Sequence, residues 1–141
     1  MASGLSFETL AVGMSAQRER TVTEADVQAF ADVSGDHNPV HLDEAYAAGT
    51  PFGTRIAHGM LSASHISALI AGELPGPGSI YLSQSLSFRR PVKLGDTVTT
   101  RVEVIALDPA KARATLRTVC EVGGKAVIEG EAVILVPRQG G

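Results

Sequence analysis

The stretch Ser34-Gly35-Asp36-His37-Asn38-Pro39-Val40-His41 packs a carboxylate, two imidazoles and an amide into eight residues. It cannot run as one continuous helix. Pro39 disfavours the helical conformation at Asn38 and lacks a backbone donor, and Gly35 permits a sharp turn just ahead of the acid. Asp36 and His41 lie five residues apart. A helix would point them in different directions and a strand would put them on opposite faces, but a turn centred on Asn38-Pro39 folds them toward one another. A carboxylate and an imidazole facing the same small space can hold one water and move protons on and off it, as general acid–base chemistry requires. The plainer reading of Asp36 is an Asx-turn residue, because Asp is common in turns. The plainer reading of His41 is a surface histidine, and His37 reads as one that points away from His41.

Gly59 opens a second candidate region. The first backbone N–H groups of a helix have no internal partner and carry the positive end of its dipole. Glycine lets a ligand approach that backbone closely, and a carbonyl placed there would be polarised as in an oxyanion hole. A glycine needed for close helix–sheet packing is the competing reading. His58 reads as making a local hydrogen bond ahead of this helix, and His65 as a satisfied, partly buried histidine. A metal held by His37, His41 and His58 with Asp36 as fourth ligand matches no standard zinc spacing, and Cys120 lies far off in sequence, so no metal is expected. Ser62 lacks the flanking glycine of a nucleophile elbow. The loop Gly72–Gly78 lacks the Lys-Ser/Thr of a phosphate loop and opens no helix. Arg89-Arg90 is either a solvated strand end or a contact for the phosphates of a nucleotide-tailed ligand.

These groups need elements to position them. After a loose lead-in over residues 1–15 with a turn at Val12-Gly13-Met14, Gln17–Val22 alternates weakly as an edge strand. Thr23-Glu24-Ala25-Asp26 reads as a helix start, with Thr23 as N-cap and Asp26 as an acidic variant of the capping box. Val27, Phe30, Ala31 and Val33 give a helical stripe that stops at Ser34-Gly35. Leu42–Ala48 forms a short helix ended by Gly49. Gly59–Ala71 is a helix apolar or small all round, and so buried on most sides. Ile80–Phe88, Val98–Ala106, Arg113–Val122 and Ala126–Val136 are strand-like runs separated by turn signals, with Gly123-Gly124 predicting a tight hairpin. Helices early and long antiparallel strands late make an α+β arrangement. The economical way to cover residues 59–71 is a sheet curled around that helix.

The totals exclude several classes. At 141 residues the chain reads as one domain, 1–141, large enough to bury a core without staples. With a net charge of −3 and no basic stripe, nucleic acid is not an expected partner. The lone Cys120 excludes an intrachain disulfide and fits a reducing compartment. No apolar run reaches membrane-spanning length, and Met1–Glu8 lacks the basic and apolar regions of a signal peptide, so the expected location is the cytoplasm.

Three ordered blocks resemble the MaoC-like, or R-specific enoyl-CoA hydratase, family with the hot-dog fold. They are Phe30-Ala31-x-x-Ser34-Gly35-Asp36-x-Asn38-Pro39-x-His41, then Arg55–Ser62, then Pro75–Leu82 with Phe88-x-x-Pro91-Val92-x-x-Gly95-Asp96. The resemblance runs from Val12 to Val136 with no departure at the motif positions. It implies an antiparallel sheet wrapped around a central helix and a homodimer whose sheets join edge to edge. It implies Asp36 and His41 as the catalytic acid–base pair and Asn38 in the site, holding the pair or the water. The Gly59 N–H would face a thioester oxygen, and Ser67 would sit close to the catalytic groups. The implied reaction is reversible syn addition of water to trans-2-enoyl-CoA, giving (R)-3-hydroxyacyl-CoA. Coenzyme A is part of the substrate, no cofactor is needed, and the product would link β-oxidation to polyhydroxyalkanoate synthesis. The same fold also serves acyl-carrier-protein or branched and dicarboxylic acyl-CoA substrates, or a non-catalytic acyl-CoA-binding module. The acyl pocket is expected around Leu61, Ile66, Leu69 and the Leu74–Ile80 loop.

Overall fold

A computed structural model describes residues 4–140. Six strands form one antiparallel sheet: β1 (Ser15–Thr21), β2 (Ile80–Gln84), β3 (Ser87–Phe88), β4 (Thr97–Asp108), β5 (Arg113–Val122) and β6 (Lys125–Leu135). Their order is β1-β4-β5-β6-β2, with β3 also on β6. The long strands alternate as a half-buried sheet must. Val98, Thr100, Val102 and Val104 of β4 and Ala114, Leu116, Thr118 and Cys120 of β5 all point inward. Gly123 and Gly124 have φ of 57° and 78°, the pair of left-handed residues that a type I′ hairpin requires and that glycine adopts without strain. The hairpin closes β5 onto β6 as expected.

Among the described residues four α-helices accompany the sheet: α1 (Glu24–Ser34), α2 (Pro39–Leu42), α3 (Glu44–Ala48) and α4 (Gly59–Gly72). The capping box of α1 is present in both directions. The Thr23 hydroxyl accepts from the Asp26 N–H at 3.1 Å, and Asp26 Oδ2 accepts from the Thr23 N–H at 3.2 Å. Ile66, Leu69 and Ile70 of α4 share one core with Val102, Leu116 and Ile134 of the sheet. Each such burial removes enough apolar surface to contribute about 1.5–3 kcal/mol.

Four expectations need correction. First, α4 is not buried on most sides of the protomer. Leu61, Ser62, Ala63, Ile66, Leu69 and Ile70 are buried, but Met60, Ser64, Ser67 and Ala68 are exposed, because the sheet covers only one side of the helix. Second, the described part of the lead-in is not loose. Phe7 and Leu10 are buried in the core, and the Leu5 and Phe7 N–H groups donate to the carbonyls of Pro75 and Pro137; residues 1–3 of that reading lie outside the described residues. Third, Asp43 does not sit inside a helix beginning at Leu42. It caps α3, accepting from the Tyr46 N–H. Fourth, the run Ile80–Phe88 is two strands. Between them the chain crosses β6 so closely that a Cβ on Gly130 would lie 1.8 Å from the Ser85 carbonyl oxygen. That approach is open only to glycine, and it carries Phe88 toward the start of α4.

Candidate active site

The linker between α1 and α2 is built by short-range hydrogen bonds. The Ser34 hydroxyl donates to the Phe30 carbonyl and accepts from the Asp36 N–H. Gly35 takes the left-handed conformation, φ 80°, that ends α1. Asp36 Oδ1 accepts from the Asn38 N–H at 3.1 Å, so the Asx turn is real. Pro39 then occupies the first position of α2, where its missing donor has no consequence. This puts His41 inward, 8% exposed, while Asp36 stays exposed. Asp36, His41 and His58 each bring a polar atom to within 4.8 Å of the others.

His41 is held from two sides. Its Nδ1–H donates to the Ile56 carbonyl at 2.8 Å, which leaves Nε2 as the free lone pair. Its own carbonyl accepts from Arg55 Nε at 2.7 Å, and the Arg55 guanidinium forks onto the Glu24 carboxylate at 2.6 and 3.0 Å. That fork holds the Glu24 carboxyl below its usual range and ties α2 to the first turn of α1. Burial pushes the His41 imidazole below its ordinary value, and the neighbouring His58 acts in the same direction. The hydrogen bond to Ile56 and the Asp36 charge oppose them. The balance favours the neutral imidazole.

These groups open on a cavity of about 670 Å³ whose walls include Phe30, Phe52, Met60, Phe88 and Ile128. Gly59 lies on its rim at the first position of α4, and the side chain of His58 makes no capping hydrogen bond to that helix start. The ring of Phe88 rests on Gly59, where an added Cβ would lie 2.6 Å from Phe88 Cε1. Packing therefore does require this glycine, but against an exposed aromatic that can swing away. Gly59→Ala is expected to shift the melting temperature little and to lower kcat/KM by about tenfold or more, since the added methyl crowds a candidate oxyanion donor. Thermal melts and steady-state kinetics check this; unchanged kinetics would leave only the packing role.

Two implied positions stand elsewhere. The Asn38 side chain is exposed and caps α2, accepting from the Val40 N–H at 3.2 Å. Its contribution to the site is the backbone N–H on Asp36. Ser67 is exposed on α4 and lines no part of this cavity in the protomer. It follows the cavity-lining Ser62 by five residues, about 140° around the helix. Leu61, Ile66 and Leu69 are core residues and not walls of this cavity. Arg89 and Arg90 do line it, with Arg89 paired to Glu129 at 3.3 Å and Arg90 donating to the Ala126 carbonyl.

The part of the site that the local reading of the sequence missed is His58. It is 2% exposed, stacks on His41 with ring centroids 3.9 Å apart and 28° between planes, and donates from Nε2 to the Asp36 carbonyl at 3.0 Å. A histidine one residue before a buried helix was the available signal. Asp36, His41 and His58 each bring one possible ligand atom to the same place, and the other nitrogen of each ring serves a carbonyl. His37, named as a further ligand, is exposed and turns to Gly35 and Asp32.

A sheet packed over a central helix, with Asp36 and His41 beside the helix start, is the hot-dog architecture. The R-hydratase PhaJ1 of Pseudomonas aeruginosa superposes with a TM-score of 0.91 at 51% identity, covering 96% of this chain and 87% of that one. An R-hydratase of A. caviae, described as involved in PHA biosynthesis, gives 0.90 at 50% identity over 92% and 99%. An (R)-specific enoyl-CoA hydratase of Rhodospirillum rubrum is 54% identical over 95% of this chain and 93% of its own length. Residues 8–131 match the family described as the MaoC like domain, and the chain belongs to that family.

Proposed function

We propose that this chain is an R-specific enoyl-CoA hydratase, adding water reversibly to trans-2-enoyl-CoA to give (R)-3-hydroxyacyl-CoA. The observation that carries the proposal is the clustering of Asp36 and His41 at one end of a cavity whose rim holds the uncapped start of α4. The thioester oxygen takes the Gly59 N–H, which makes C3 electrophilic and stabilises the enolate that forms. One water bridges His41 Nε2 and the Asp36 carboxylate. Its oxygen bonds to C3 as the pair takes one proton, and a proton returns from the pair to C2 on the same face. The sum is one added water and an unchanged pair. The chemistry asks for no metal or redox cofactor.

The finer readings belong to the same proposal. The product supplies polyhydroxyalkanoate synthesis, in line with the description of the A. caviae relative. A cytoplasmic location suits a coenzyme A substrate and a single buried cysteine. The chain forms a homodimer through the free edge of β2, where Ile80, Tyr81 and Leu82 are exposed beside unpaired backbone groups. Sedimentation should give twice the chain mass, and Leu82→Lys should move it toward the single-chain mass.

The deciding experiment follows loss of the conjugated enoyl-thioester absorbance with crotonyl-CoA, with the product trapped in parallel by R- or S-specific 3-hydroxyacyl-CoA dehydrogenase. Rapid loss with an R product is expected. No loss with crotonyl-CoA or longer and branched enoyl-CoAs would overturn the assignment.

A further inference from the structure

His58 immediately precedes α4 and Ser62 stands four residues on; both line the cavity, and both are almost fully buried at 2% and 1% exposure. His58 Nδ1 and Ser62 Oγ are also buried polar atoms with no hydrogen-bond partner. Groups left so in a folded protein call for a reason. A ring here without nitrogens would satisfy packing alone, because the surroundings of His58 include the faces of His41 and Phe30, the latter with centroids 4.9 Å apart. The imidazole also serves a backbone carbonyl, that of Asp36, through a part-buried bond. Packing alone therefore does not account for an imidazole at this place.

The geometry points to His58 as a positioning residue that fixes both members of the catalytic pair. This inference rests on the hydratase reading above. The Nε2–H bond pins the backbone of Asp36 and so limits where its carboxylate can point. The ring face sets the plane of His41, whose Nδ1–H is held by Ile56, two residues before His58. The segment Ile56–His58 thus holds His41 with a carbonyl and Asp36 with an imidazole. Donation from Nε2 requires the tautomer with Nδ1 bare. The Ser62 hydroxyl, four residues on, is likewise without a partner, and the two are not bonded to one another.

Two substitutions separate positioning from filling. His58→Phe keeps a flat ring against His41 and removes the donor. His58→Gln keeps an amide donor able to reach the Asp36 carbonyl and removes the ring. If His58 positions the pair, His58→Phe melts no lower than wild type, yet its kcat falls by about 10²-fold with KM nearly unchanged, because small displacements of reacting groups carry penalties of that size. His58→Gln stays within about tenfold of wild type, retaining the bond that matters. The opposite order, with Phe active and Gln impaired, would reduce His58 to core filling. Histidine-ring NMR gives a readout that needs no turnover. Wild type and His58→Gln should show one set of His41 signals, and His58→Phe doubled or broadened ones. A single sharp set in all three would overturn the inference. A wild-type protein inert toward every enoyl-CoA would sink the hydratase assignment while the NMR comparison still decides whether His58 orders the pair.

Discussion

Asp36→Asn is expected to lower kcat by about 10³-fold and to leave the fold intact, the middle of the range that a positioned acid–base group supplies. The substitution is chosen because the carboxylate has two jobs that can be separated. Oδ1 accepts the Asn38 N–H at 3.1 Å and shapes the turn before α2. An asparagine carbonyl accepts that bond equally well, and Asn is as suited to an Asx turn as Asp. The Asp36 backbone groups that meet Ser34 and His58 are untouched. What disappears is the negative charge and the ability to take or give a proton, and the amide offers donors where the bridging water needs an acceptor. A melt overlapping wild type with a thousandfold slower loss of enoyl absorbance is the expected pair of results. Wild-type turnover would confine Asp36 to its turn and remove it from the mechanism.

That pair of roles shows why some of this site was legible in the sequence and some was not. Local rules placed Thr23 and Asp26 in a capping box, Gly123-Gly124 in a hairpin, and a break between Gly35 and Pro39, because each depends on neighbours a few residues away. The meeting of Asp36 and His41 follows from the same local chemistry, since Gly35 and Pro39 bound the turn between α1 and α2. His58 and Ser62 answer to groups far off in sequence. Nothing beside His58 announces that its ring will lie under His41, seventeen residues earlier, or reach the Asp36 carbonyl. The split of Ile80–Phe88 into β2 and β3 likewise depends on Gly130, which no local pattern links to Ser85. The exposed face of α4 misled for a related reason. Ser64, Ser67 and Ala68 are small enough to suit either a core or a surface, so composition could not say which side the sheet would cover. The family resemblance carried Asn38 and Ser67 toward the site. In the protomer the first acts through its backbone, and the second faces away from the cavity.

His41→Asn is expected to be as damaging as Asp36→Asn, about 10³-fold in kcat, and it also tests the direction of proton transfer. Asn offers its amide near the position of the imidazole Nδ1, so the bond to the Ile56 carbonyl survives while the Nε2 lone pair is lost. His41→Ala loses both and leaves a gap under a stacked ring. It should therefore be comparably inactive and also less stable, by about 1–3 kcal/mol for the unpaired carbonyl alone. The pH dependence follows from the lowered pKa of the buried ring. If His41 works as the neutral base, kcat/KM should hold its plateau as pH falls past 6.5, the ordinary histidine value, and decline only below that. Stability moves in the same direction. Below pH 6.5 the unfolded chain binds a proton at His41 that the folded chain resists, so folding weakens as pH drops through that window. His65 has a pKa lowered by burial as well and adds to this trend, so the His41 share is the difference between wild type and His41→Asn in melts across pH. A wild-type kcat/KM that instead falls as pH rises through the histidine range would show that the imidazole must be protonated to act, and would make Asp36 the base for the attacking water.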